Sequence, residues 1–244
     1  MYDLMQLGSA FIQYIDAFSD VLYFLLLIPT MIFAIWAQVN VKRTFTKYSK
    51  VLSLRGITGA QAAQEVLRQH GIYDVKIERI HGNLTDHYDP RSNTIRLSDA
   101  VYGSSSIAAV GVAAHEAGHA VQYAERYFPV KVRTAIIPVT RIGSSLAFPL
   151  VLLGIILSSG FLANIGIVFF VFAVIFQLIT LPVEYNASHR AIEALGSGHL
   201  LEEEELHIAK KTLSAAALTY VAALASAVLS LLRLLAISRG SRRR

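Results

Sequence analysis

Runs of apolar residues alternate with polar stretches along this chain of 244 residues, and the runs are long. Val21 to Val39 contains no charged residue. Ala135 to Ser158 carries only Arg141, near its start, where a long side chain can reach back to the interface. Phe161 to Val183 has no charge, and Leu213 to Leu232 is rich in Ala, Ser and Leu. Each approaches the roughly 20 residues that span a bilayer as a helix. Between the first and second runs the period changes. Thr58-Gly59-Ala60-Gln61 is a capping-box pattern that opens a helix, which Gly71 can close. Val75 to Ile80 and Thr94 to Leu97 alternate apolar and polar residues as strands do, joined by a loop with Asn83, Asp86, Asp89-Pro90 and Asn93. Ser104 to Ser106 can cap a long helix running to about Tyr127.

Composition supports a membrane protein. Apolar residues make up 54% and charged residues 16%, against about 25% charge in soluble domains. With no cysteine, disulfides and thiolate ligands are excluded, so any metal must be held by His, Asp or Glu. The net charge of +5 sits mainly beside apolar runs, which fits orientation in a membrane rather than a nucleic-acid footprint. No phosphate-binding loop, internal repeat or low-complexity tract is present.

No Lys or Arg precedes the first run, where Asp3, Asp16 and Asp20 stand instead, unlike a secretory signal. Lys42, Arg43, Lys47, Lys50 and Arg55 follow it, so residue 42 onward is expected in the cytoplasm and the N-terminus outside. Lys131 and Arg133 before the second run agree, as does the uncharged link Ser158 to Asn164. The fourth run has two placements. Crossing outward would carry Arg239, Arg242, Arg243 and Arg244 outside, against the charge rule; lying in the interface or on the soluble part would not.

Within the expected long helix stands His115-Glu116-Ala117-Gly118-His119. Two histidines four apart on a helix lie about 40° apart around the axis, so both imidazoles point one way, as two nitrogen ligands of zinc must. Glu116, one residue on, can take a proton from water activated by the metal. The flanks Ala113, Ala114, Ala117, Gly118 and Ala120 are small, unlike a solvated charged face.

A catalytic zinc takes a third protein ligand and leaves one position open. No Asp follows His119. Glu125 lies on the wrong side of the same helix. Glu202 to Glu205 read as a solvated helix start, where acids suit the dipole. Glu184 directly follows the uncharged third run, where a carboxylate is costly unless paired or metal-bound. Two spans separate it from His119, which returns it to the same side of the membrane. Ala187, Ser188 and Ala191 would let its face press against the motif helix. The other reading of Glu184 is an interfacial carboxylate paired with Arg190 or a lysine. Candidate donors to the developing oxyanion are His87, Tyr185, His189 and Arg190. His81, Asp86, His87 and Asp89 offer a second, weaker metal cluster, since such residues are common in turns.

Ala109 to Ala114 leading into His115–His119, together with Asp86-His87-Tyr88-Asp89-Pro90, Ile95-Arg96-Leu97-Ser98 and Leu181 to Ser188, resembles the bacterial YugP-type neutral zinc metallopeptidases of the membrane. The resemblance runs over most of the chain. It implies a membrane-bound zinc endopeptidase with His115 and His119 as ligands and Glu116 as catalytic base. Heat-shock-type and prenyl-protease-type membrane peptidases carry Glu-x-x-Ala-Asp at the third ligand; here Glu184-Tyr185-Asn186-Ala187-Ser188 has serine at the last position, leaving Asn186 or Ser188 to orient a histidine. Site-2 proteases need a downstream Asp ligand, which this sequence lacks.

The expectation is therefore an α-helical membrane protein with a small α+β zincin-like cytoplasmic domain. Residues 1–41 hold the first transmembrane helix, 42–133 the zincin-like domain with the H-E-x-x-H helix, 134–183 a transmembrane hairpin, 184–211 the third-ligand helix and acidic segment, and 212–244 the fourth apolar helix and basic tail. One Zn²⁺ per chain is held by His115, His119 and Glu184. The partners are the lipid bilayer and a peptide or membrane-protein substrate, with no nucleic acid. The location is the bacterial cell membrane, multi-pass, with the active site at the cytoplasmic face. The competing expectation is a catalytically silent zinc-binding scaffold or chaperone.

Overall fold

A computed structural model describes residues 2–241, with side chains at 21 and 23–238. Asp3, Asp16, Asp20 and Arg239 have no described side chain, and Arg242, Arg243 and Arg244 lie outside the described residues. The elements are α1 (Tyr2–Tyr48), α2 (Gly59–Gln69), β1 (Lys76–Ile80), β2 (His87–Asp89), β3 (Thr94–Ser98), α3 (Asp99–Tyr102), α4 (Ile107–Ala124), α5 (Phe128–Ile156), α6 (Gly160–Ser197) and α7 (Glu203–Ser241). The protein is mostly helical. Four helices are long and apolar enough to cross a membrane: Tyr23–Tyr48, Phe128–Ile156, Gly160–Ser197 and Glu203–Ser238. The third and fourth expected apolar runs fall wholly within these helices, while the first starts two residues before Tyr23 and the second ends two residues after Ile156.

The chain divides into two compact units. The first comprises Met1–Ile35, Ala135–Leu178 and Val221–Arg244. Its large apolar side chains face outward, among them Phe24, Leu25, Ile142, Phe148, Ile156 and Phe161. Such a surface suits a lipid solvent, in which apolar burial gives helices little reason to associate. Close approach replaces it. A Cβ on Gly154 would stand 2.5 Å from the Ala163 nitrogen, and one on Gly166 would stand 2.6 Å from the Ala147 oxygen. Small residues thus bring α5 and α6 together, as in other membrane helix pairs.

The second unit comprises Trp36–Thr134 and Ile179–Tyr220. It buries its apolar residues inside, with Val66, Ile95, Leu97, Val101, Val110 and Leu195 in one core. The α2 capping box forms as its sequence predicts, with Thr58 and Gln61 satisfying each other's backbone donors. Gly71 follows at φ +68°, a conformation that favours glycine. The sheet has order β1-β3-β2; β1 runs parallel to β3, and β2 antiparallel. The expected loop between the two strands therefore contains a third, β2. It is only three residues long, too short for period-two patterning to reveal. Ser106 caps α4, its Oγ accepting from Ala109 N–H, and the helix ends at Ala124 rather than near Tyr127. Buried Ala109, Ala113, Ala117 and Ala120 set one side of α4 into the core.

Candidate metal centre

The motif residues lie on α4, and Glu184 lies in the middle of α6, which continues through Pro182 to Ser197. Glu184 follows the apolar run, and the helix continues past it for about three more turns. The crossing of α4 and α6 is tight. A Cβ on Gly118 would meet the Ala187 carbonyl oxygen at 2.6 Å, so the glycine of the motif is what lets the two backbones touch. The small face at Ala187 thus packs where its spacing predicts.

This crossing brings His115, His119 and Glu184 to one point. The Nε2 atoms of His115 and His119 stand 3.4 Å and 3.5 Å from Glu184 Oε2. One ligand atom from each residue lies within 4.8 Å of the others, the only such group of three acids and histidines among the described residues. The two rings are 4.7 Å apart and nearly perpendicular, at 82°. Glu184 is 3% exposed. Its Oε1 accepts from Arg133 Nη1 at 3.3 Å, while its buried Oε2 accepts no hydrogen bond. Of the sequence readings of Glu184, pairing with Arg190 does not occur: Arg190 bonds Glu125 at 2.6 Å and Asn186 at 2.8 Å.

The far side of each imidazole is occupied. Ser188 Oγ lies 3.1 Å from His115 Nδ1. His119 Nδ1 lies 3.0 Å from Gln122 Oε1. Gln122 is fully buried, and its Nε2 donates to Val183 C=O at 2.8 Å and Asn186 Oδ1 at 2.9 Å. Two acceptors around Nε2 fix the amide, so Oε1 must accept from His119 Nδ1–H. The neutral ring then presents a lone pair at Nε2. That lone pair and the carboxylate oxygen of Glu184 face each other, and both want a cation between them. Burial alone would push the His119 imidazole down, but the neighbouring Glu184 carboxylate outweighs it and holds the ring above its ordinary value.

These features fit a zinc ion. Ligands about 2.0–2.2 Å from zinc in a tetrahedral array stand roughly 3.3–3.5 Å apart, the spacing of both histidines from Glu184. Histidines that bind metal have their second nitrogen bonded, as both do here. An unpartnered buried carboxylate oxygen is costly without a cation.

Glu116 is 8% exposed and its Oε2 accepts from the Tyr88 N–H at 3.0 Å. That bond ties the catalytic-base candidate to β2, an edge strand of the sheet. A cavity of about 210 Å³ opens over these groups. Asp86, His115, Glu116, Glu184, Ser188 and Tyr220 line it, with Val41, Phe45 and Leu213 among its apolar walls. Burial pushes the Asp86 carboxyl up, although Ser98 N–H and Oγ both donate to it. Burial likewise pushes the Tyr88 phenol up to about 12.

Sequence reading missed Gln122, Arg133 as a Glu184 partner, and Tyr220. None of the four oxyanion-donor candidates, His87, Tyr185, His189 and Arg190, lines the cavity; Tyr220 does. Gln122 had a local signal, lying three residues beyond His119 on the same helix face. Tyr220 had none, since a tyrosine in an apolar run reads as an interface anchor.

The family model described as "Putative neutral zinc metallopeptidase" matches residues 23–239. The chain is 46% identical over 216 residues to "Putative membrane protease YugP" of Bacillus subtilis (strain 168), covering 88% of this chain and 96% of that protein. No solved structure matches it.

Proposed function

The chain belongs to the family described as "Putative neutral zinc metallopeptidase", and from that premise we propose that it is a membrane-bound zinc-dependent endopeptidase. In this reading residues 42–133 form a zincin-like domain at the cytoplasmic face of the cell membrane. Residues 134–183 form a transmembrane hairpin, and 184–211 carry the third ligand. The observation that carries the reading is the convergence of His115 and His119 Nε2 on the unpartnered Glu184 Oε2, one residue from Glu116.

His115, His119 and Glu184 hold one Zn²⁺, an arrangement of the gluzincin kind. When bound, the metal lowers the pKa of water toward neutrality and polarises a peptide carbonyl. Ser188 and Gln122 keep the two imidazoles turned toward it. Arg133 balances the second oxygen of Glu184. Glu116 takes the proton from the attacking water at a carboxylate oxygen, then hands it to the leaving amine. Tyr220, the phenol in the cavity wall, donates to the carbonyl oxygen as charge develops there. The substrate is an extended peptide or an unstructured segment of a membrane protein. It pairs with the edge of β2, which turns the Tyr88 N–H toward Glu116.

Glu116→Gln tests this reading. Cleavage of an unfolded protein substrate should fall by about 10²–10⁴-fold, while roughly one equivalent of zinc stays bound. A variant that cleaves at the wild-type rate would remove Glu116 from the chemistry. Wild-type protein that binds zinc and cleaves nothing would favour the scaffold.

A further inference from the structure

The helices that wall the cavity have a second side. On α7, Thr212, Leu213, Ala216, Ala217 and Tyr220 face the cavity, and on α1, Val41 and Phe45 do. Their other faces enclose a groove of about 490 Å³. From α1 it is lined by Asn40, Thr44, Lys47 and Tyr48; from α7 by His207, Lys210, Lys211 and Ser214, over Ala215 and Leu218. A shallower basic surface with Lys42, Arg43 and Lys50 shares Lys47 with it.

Several cations elsewhere in the unit are paired. Arg68, Arg79, Arg96, Arg133 and Arg190 each have a carboxylate within 4.0 Å. Among the described residues, Lys42, Arg43, Lys47, Lys50, Lys210 and Lys211 have none, and no acidic residue lines either surface. Six gathered cations without counter-ions repel one another, so an anion is the complementary occupant.

The position says which anion. On α1 the apolar run ends at Val39 and the basic residues begin at Lys42. On α7 Lys210 and Lys211 immediately precede the apolar run from Leu213. Both helices change from apolar to basic where the groove lies, the level of the lipid headgroups for a membrane-spanning helix. Lysines and hydroxyls at the top and alanine and leucine beneath match a phosphate carried on acyl chains.

We propose that this groove binds the phosphate headgroup of an anionic phospholipid. The bound headgroup bridges α1 to α7 and thereby steadies the wall of the cavity that both helices share.

Trp36 is the single tryptophan of the chain. It is half exposed and lies four residues before Asn40, on the same face of α1. It therefore reports on lipid beside the groove. The full-length protein is placed in phosphatidylcholine bilayers containing phosphatidylglycerol, with brominated acyl chains on one lipid or the other at equal mole fraction. Brominated phosphatidylglycerol should quench Trp36 more strongly, with an apparent preference of roughly fivefold or more. Combined Lys47→Gln, Lys210→Gln and Lys211→Gln should equalise the two lipids, in protein that still binds zinc. Lys131→Gln, outside the groove, should keep the preference. Equal quenching in the wild type overturns the proposal, as does a preference that survives the triple substitution. Loss of the preference in millimolar inorganic phosphate would assign the groove to a free anion instead. None of these readouts depends on proteolysis, so they stand or fall apart from the peptidase reading.

Discussion

Two regions of the second unit are rich in histidine and acid, and only one gathers them. The loop around β2 holds His81, Asp86, His87 and Asp89 within nine residues. The α4–α6 crossing assembles His115, His119 and Glu184 from positions up to 69 residues apart. In the loop each group has its own partner. His81 Nδ1 sits 2.8 Å from Asp99, and Asp86 accepts from Ser98 N–H at 2.7 Å. His87 Nδ1 lies 2.8 Å from the Thr85 carbonyl oxygen, and Asp89 accepts from Arg91 N–H and Ser92 Oγ. At the crossing, two imidazole nitrogens and a carboxylate oxygen face one another with no hydrogen bond among them. Proximity in sequence makes turns here, while a shared gap left by satisfied neighbours makes the candidate metal centre.

Glu184→Ala is the strongest way to break this contrast. Zinc affinity should fall by more than about 100-fold, beyond what loss of a supporting residue costs, and metal analysis of the purified protein should find almost none. His87→Ala and Asp89→Ala should keep the wild-type zinc content. Zinc retained in Glu184→Ala, or lost in the loop variants, would reverse the assignment of the two regions.

Gln122→Ala sharpens the comparison within the crossing. It removes the group that fixes His119, together with its bonds to Val183 and Asn186. Zinc affinity measured against a competing chelator should fall by roughly 10–100-fold. Unchanged affinity in a folded variant would show that α4 alone orients the ring.

How much of this was legible in the sequence follows from how local each contribution is. His115, Glu116 and His119 are set by the helical repeat within five residues, so spacing alone puts the two histidines on one face, with Glu116 about 100° around the axis from His115. Glu184 could be found because a charge beside a long apolar run is energetically conspicuous. Ser188 was legible only as a substitute for a more usual aspartate. The partnership of Gln122 with Asn186 depends on where Gly118 seats α4 against Ala187, a crossing that no local pattern encodes. Tyr220 reaches the cavity from α7, whose run of alanine, leucine and serine carries no phase to say which side faces inward. The strands show the same divide: alternation marked β1 and β3, while the three-residue β2 between them needed the assembled sheet.

The smallest expected effect lies in the loop, and it is electrostatic. Ser92 Oγ, the Arg91 N–H and the Arg96 guanidinium hold the Asp89 carboxyl at about 2, below the ordinary carboxylate value. Asp99, bonded by Arg79 and the Gly82 N–H, is depressed as well. A carboxylate depressed on folding adds stability above its unfolded pKa, near 4, and that stability is lost as pH falls from about 4 toward 2. Asp89→Asn cannot take up that proton. Its acid unfolding should therefore be shallower over this window, by up to about one proton in the pH-dependence of unfolding. Arg96 would keep Glu78, at 3.5 Å, as a partner. Denaturant titrations from pH 2 to 5, wild type beside variant, measure the difference, and zinc content at pH 7 should be the same in both. Parallel curves would mean that the Asp89 bonds persist in the unfolded chain. A variant that lost zinc at pH 7 would mean that the loop and the α4–α6 crossing act as one site.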